Sequence, residues 1–199
     1  MSTISSRIRP LIVIAASAAL AIPALAPATS SAAPAPIYLN LFACPTSPTI
    51  SGTAGPDIIG GTAGVDKVRA YGGGDFVNGK GGADRICLDD GVDTASGGLG
   101  NDMIRGGNGN DHAMTGNEGD DFILGDAGND SLGAHPGKDY VYGGNDSDTL
   151  YGDVWPLGDS NASDVDHLYG GNGYDVCYPG FEDTVSQCEE VHWPAQPPA

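Results

Sequence analysis

The sequence predicts an all-β repeat solenoid, in which short turns alternate with short strands. Three observations predict it. An aspartate recurs every nine residues over most of the chain; a glycine stands two places before it; an apolar residue stands two places after it. The 32 glycines and all the aspartates begin only at Gly52, so the first fifty residues are chemically distinct from the rest. A period this short marks stacked repeats, each too small to bury its own apolar residue and dependent on its neighbours to do so.

The period is seen by laying Gly52-Thr53-Ala54-Gly55-Pro56-Asp57-Ile58-Ile59 over Gly61-Thr62-Ala63-Gly64-Val65-Asp66-Lys67-Val68. The sixth place holds Asp57, Asp66, Asp75, Asp84, Asp93, Asp102 and Asp111, always nine apart. One extra residue near Thr115 moves the next to Asp121, after which Asp130, Asp139 and Asp148 resume the step, and Asp166 and Asp175 close the series after a doubled interval. The fourth place is Gly in eleven of these thirteen units and Asp in the other two, Asp146 and Asp164. The eighth place reads Ile59, Val68, Val77, Ile86, Ala95, Ile104, Ala113, Ile123, Leu132, Val141, Leu150, Leu168 and Cys177. Each unit is therefore six turn residues, with glycines that accept positive φ, and three strand residues that send one side chain inward.

The ends of the chain follow other rules. Arg7 and Arg9, the apolar run from Leu11 to Leu25 and the small residues that follow describe a secretory signal peptide over 1–33, cut near Ala32 or Ala33. The apolar run is short for a membrane span and holds Pro23. Residues 34–51 are expected as an N-terminal cap, with Ile37 to Phe42 as its strand; 52–178 as the repeat stack, with a loop insertion at 152–160; 179–191 as a C-terminal cap; and 192–199 as a disordered tail.

Charge and cysteine narrow the function. The formal charge is −18, and −20 once Arg7 and Arg9 leave with the leader. Such a surface opposes nucleic acid and anionic membranes, both of which are recognised through Lys and Arg. Four cysteines in an exported chain read as two disulfides. Three pairings are possible; the most local is Cys44–Cys87 with Cys177–Cys188. Zinc is the rival use of these cysteines, but the chain has no C-x-x-C pair.

Units such as Gly97-Gly98-Leu99-Gly100-Asn101-Asp102-Met103-Ile104 and Gly170-Gly171-Asn172-Gly173-Tyr174-Asp175-Val176-Cys177 make the region from Gly52 to Tyr178 resemble the RTX, or haemolysin-type, calcium-binding nonapeptide repeat family, whose pattern is G-G-x-G-x-D-x-U-x. The resemblance implies a right-handed parallel β-roll with two nonapeptides per coil and several Ca²⁺ ions in the turns. It also implies that Asp57, Asp66, Asp75, Asp84, Asp93, Asp102, Asp111, Asp121, Asp130, Asp139, Asp148, Asp166 and Asp175 serve as ligands beside backbone carbonyls. The turn chemistry agrees, since calcium takes six to eight hard oxygens at flexible distances whereas magnesium demands a tight octahedron. Asp57, Asp66, Asp84, Asp102, Asp111, Asp121, Asp130 and Asp175 stand in the most regular units. Leu88 to Asp93 lacks the leading glycines and is expected to be distorted, and Ala134 to Asp139 carries Pro136 and Lys138. The N-terminal leader makes the chain resemble small Sec-exported bacterial proteins built of these repeats.

The expected function is therefore that of a secreted, extracellular, monomeric, non-enzymatic calcium-binding protein that folds when it binds the ion. The apolar stripe is thin against the entropy of ordering nine residues per unit, and aligned Asp columns repel without cations. The alternative is an adhesin or a surface- or ice-binding module that uses a flat face, with the outward Tyr142, Tyr151, Tyr169 and Tyr178 as its contact or as a simple stabilising ladder. A cell-surface or glycan partner is left open. The chain has no G-x-S-x-G and no H-E-x-x-H, and Asp164-x-Asp166 does not continue as an EF-hand, because Tyr169 stands where Gly is needed.

Overall fold

A computed structural model describes residues 43–153 and 164–194. The expected leader, the Ile37 to Phe42 strand, most of the insertion and the last five residues lie outside them. Among the described residues there is no helix, and so none that could cross a membrane. Strands are numbered along the chain. The first sheet contains β1 (Ile50–Ser51), β3 (Lys67–Arg69), β4 (Gly72–Gly73), β6 (Arg85–Gly91), β8 (Met103–Asn108), β10 (Phe122–Ala127), β12 (Tyr140–Asn145), β14 (His167–Asn172) and β16 (Thr184–Ser186). The second contains β2 (Ile58–Gly60), β5 (Phe76–Gly81), β7 (Thr94–Leu99), β9 (Met114–Glu118), β11 (Ser131–Gly133), β13 (Thr149–Tyr151), β15 (Val176–Tyr178) and β17 (Glu190–Val191).

Apart from β3 and β4, which share the first sheet, successive strands fall in alternate sheets, and every pairing is parallel, so two nonapeptides make one coil of a β-solenoid of about seven turns. The register follows the sequence period. Ile50 aligns with Val68, Val68 with Ile86, and Ile86 with Ile104, each step being 18 residues. Across the insertion the step becomes 27, with Val141 opposite Leu168 and Leu150 opposite Cys177. The register across the insertion is therefore longer by one nine-residue unit.

The eighth-place side chains of both sheets meet inside as one core, from Ile59 to Cys177. Two details differ from the sequence reading. The eighth place of the seventh unit is Met114, fully buried opposite Leu132, and not Ala113, which is exposed with φ of 50°. The extra residue is absorbed at Ala113 as a bulge, because a larger apolar side chain lies one place further on and fills the interior better. The first place of each unit also faces inward: Ala70, Leu88 and Ala134 are buried in the same core, so Leu88 fills space where it was expected to distort the turn.

Outside, side chains at matching places stack up the sheets. Tyr142 and Tyr169 lie 4.6 Å apart at 3° between ring planes, and Tyr151 and Tyr178 lie 4.9 Å apart. Neighbouring rings cover one another's faces, as cross-strand pairs do. Disulfides join Cys44 to Cys87 and Cys177 to Cys188, the local pairing of the three.

Substituting Met114→Ala should cost ~2–5 kcal/mol, as for other buried large-to-small changes. Ala113→Gly should be neutral or slightly stabilising, because glycine takes a positive φ without strain. Urea unfolding in millimolar calcium measures both.

Candidate metal centres in the turns

Each coil's turns are locked to the next by the sixth-place aspartates. The backbone N–H of Asp57 donates to Oδ1 of Asp75 at 2.9 Å, that of Asp66 to Asp84 at 2.8 Å, and that of Asp84 to Asp102 at 2.7 Å. The same bond recurs up both sides of the stack through Asp139 to Asp166 (3.0 Å) and Asp148 to Asp175 (2.9 Å). The turns that looked irregular keep the rule. Asp93 accepts from Asp75 at 2.7 Å, and Asp139 accepts from Asp121 at 2.7 Å despite Pro136 and Lys138 nearby. A second ladder runs through the fifth place in the opposite sense: the N–H of Asn129 donates back to Oδ1 of Asn110 (3.0 Å) and that of Ser147 back to Asn129 (2.8 Å).

The sixth-place ladder occupies one oxygen per carboxylate. The other, Oδ2, is buried without a hydrogen-bond partner at Asp75, Asp84, Asp93, Asp102, Asp111, Asp121, Asp130, Asp139, Asp148, Asp166 and Asp175. A buried anionic oxygen with no partner is costly, and native structures supply one. Asp57 and Asp66 differ from the other eleven. Their Oδ2 atoms accept from the N–H and hydroxyl of Thr53 (2.6 and 3.0 Å) and Thr62 (2.6 and 2.9 Å). Threonine at the second place, found in only these two units, thus serves the oxygen that is spare elsewhere.

The spare oxygen faces a small cradle. A Cβ added to Gly79 would stand 2.5 Å from Oδ2 of Asp84 and 2.5 Å from the carbonyl oxygen of Gly97, one coil on. A carboxylate from one coil and a main-chain carbonyl from the next therefore converge on the space that glycine leaves open. No three His, Cys, Asp or Glu side chains among the described residues are grouped closely enough to hold an ion by themselves. An ion in these turns must draw on carbonyls as well as carboxylates, and such an all-oxygen, mixed donor set suits calcium.

Electrostatics point the same way. Burial raises the carboxyls of Asp102, Asp111, Asp121 and Asp148 to about 7, Asp130 to about 6, Asp166 to about 8 and Asp139 to about 9. The donated N–H pulls each of them down without offsetting burial, and neighbouring aspartates push them up further. A column of carboxylates that resist ionisation asks for protons or a cation.

The family model of the RTX calcium-binding nonapeptide repeat matches in four copies, at residues 50–86, 89–113, 115–150 and 163–181. The chain belongs to this family. Neither a curated protein nor a solved structure matches it. The RTX repeats imply a calcium-binding β-roll, in accord with the oxygen-lined turns.

Sequence reasoning missed two acids at the far end. Asp183 is buried; its Oδ1 accepts the N–H of Asp166 at 3.0 Å and its Oδ2 that of Gly180 at 2.5 Å, so it takes a sixth-place position. The signal was present as Asp183-Thr184-Val185, a D-x-U triplet one residue short of the nine-step. Glu189 accepts the N–H of Asp175 at 2.8 Å, and no repeat pattern marks it.

The pH response of the calcium-free chain follows from these shifts. Asp102, Asp111, Asp121 and Asp148 titrate near 7 when folded, against roughly 3.9 for a free aspartate. The folded state therefore binds more protons between those values, and stability is full below about 4 and lost as pH rises through about 7. In EDTA, the β signal in circular dichroism should grow on acidification from pH 9 to pH 5. In calcium, the apparent affinity should fall over the same range as protons compete.

Proposed function

We propose that this chain is a secreted, non-enzymatic calcium-binding protein whose sixth-place aspartates and turn carbonyls hold several Ca²⁺ ions, and that the stack forms as they bind. The observation that carries this reading is the column of eleven buried Oδ2 atoms without a protein partner. The eleven aspartates that own those atoms would be the ligands, and Asp57 and Asp66 would serve only by releasing Thr53 and Thr62. Bound calcium supplies positive charge among carboxylates that otherwise repel, so binding and folding become one equilibrium.

Secretion is supported by the two disulfides, which persist in oxidising compartments, and by the leader read in the sequence. Calcium is scarce in cytosol and plentiful outside, so the chain stays loose for export and folds on arrival. Affinities in the ~10⁻⁴–10⁻³ M range of extracellular modules suit that task. A non-enzymatic role is supported by the employment of the acids themselves. Each of the eleven carboxylates with a spare Oδ2 has its other oxygen tied to the N–H of a neighbouring coil and lies buried in the stack.

Chelation with EDTA at pH 7.5 should abolish most of the β signal, and excess calcium should restore it; a spectrum indifferent to both overturns the reading. Asp102→Asn keeps an acceptor for the Asp84 N–H but removes the charge, and should lower calcium stoichiometry in calorimetric titration. Asp120→Asn, at an exposed fifth place, should leave stoichiometry unchanged.

A further inference from the structure

We propose that the last calcium site of the stack, at Asp175, is completed by residues outside the repeats, the carbonyl of Gln187 and the carboxylate of Glu189, and is held shut by the Cys177–Cys188 disulfide. The proposal rests on the calcium reading above and adds residues that lie beyond position 181, where the family match ends.

The geometry reproduces an internal turn with substituted parts. In an internal turn the cradle at Gly79 is faced by Oδ2 of its own coil's Asp84 and by the carbonyl of the next coil's Gly97, each 2.5 Å from an added Cβ. At Gly170 the added Cβ would stand 2.6 Å from Oδ2 of Asp175 and against the carbonyl oxygen of Gln187. That carbonyl also accepts the N–H of Gly171 at 3.2 Å, as a next-coil backbone group does. Gln187 adopts φ of 55°, a left-handed conformation that non-glycine residues rarely take, and lies in a short segment closed by the disulfide. Oδ2 of Asp175 is fully buried and has no partner.

Glu189 completes the replacement. It receives the Asp175 N–H at 2.8 Å, the bond that Oδ1 of the next sixth-place aspartate receives throughout the stack. This last coil is short: Cys177 aligns with Val191, a step of 14 residues in place of 18. With four residues fewer, the backbone follows another course, and glutamate supplies one methylene more of reach than aspartate. The N–H groups of Glu189 and Glu190 both donate to the Asp175 carbonyl, at 3.0 and 3.1 Å, which ties this segment to the turn it closes.

The disulfide stands between the two contributors. Cys177 is the buried eighth-place residue of the unit that owns Asp175, and Cys188 lies between Gln187 and Glu189. Opening this 11-residue link releases the carbonyl and the carboxylate together. The end site is thus present only in the oxidised chain, whereas the internal sites depend on stacking alone.

Native mass spectrometry in calcium counts the ions directly. Glu189→Gln retains an acceptor for the Asp175 N–H and loses the charge; it should carry one calcium fewer than the oxidised wild type, with unchanged circular dichroism in calcium. Cys188→Ser should lose the same single ion, and Glu182→Gln, an exposed acid nearby, should lose none. A full ion count in Glu189→Gln, or an equal loss in Glu182→Gln, overturns the end site and leaves the internal sites standing. A wild-type chain that holds no calcium overturns the calcium reading itself.

Discussion

One interaction organises this molecule: the hydrogen bond from each sixth-place backbone N–H to a carboxylate of the following coil. It sets the vertical spacing of the turns and buries the acid. It also uses only one of two oxygens, so at eleven repeat aspartates it leaves a buried second oxygen with no hydrogen-bond partner. The device that stacks the coils thus builds up buried negative charge, and the stack is sound only where that charge is answered. Two of the thirteen aspartates are answered by threonine; the other eleven keep a buried Oδ2 without a protein partner.

The remaining contacts matter most where this column weakens. The core is continuous but narrow, two rows of inward side chains with small residues or glycine beside them. Two disulfides tie its terminal segments to the stack: one bonds Cys44 to Cys87 of β6, the other ties the final short coil to β15. Between them, aromatic stacks on the outer faces and the Arg69–Asp89 and Arg105–Asp126 ion pairs brace adjacent coils. Such half-exposed ion pairs contribute little each. They steady the register without replacing what the turns lack.

Much of the fold was legible because a solenoid translates sequence distance directly into spatial distance. A nine-residue step in the chain became a half-coil, and Asp121 or Val141 could be placed without knowledge of any other contact. The reading lost accuracy where packing chose between neighbours. Ala113 and Met114 are adjacent and both apolar, and the larger filled the interior. Leu88 broke the glycine pattern yet met the core's demand for volume. Asp183 and Glu189 were passed over because their spacings, eight and fourteen residues beyond Asp175, do not obey the period that made the others visible.

The sequence alone determined the repeat, the parallel stacking it requires, the acids that obey the nine-residue step and the choice of oxygen chemistry in the turns. These follow from local spacing, which every copy states again. Only the tertiary structure decided which oxygen of each carboxylate is spare, which threonines silence two of them, and which residues outside the repeats end the columns. The threonine contacts close within one turn, four residues apart; the others belong to pairs 14 to 27 positions apart and exist only once one coil rests on another.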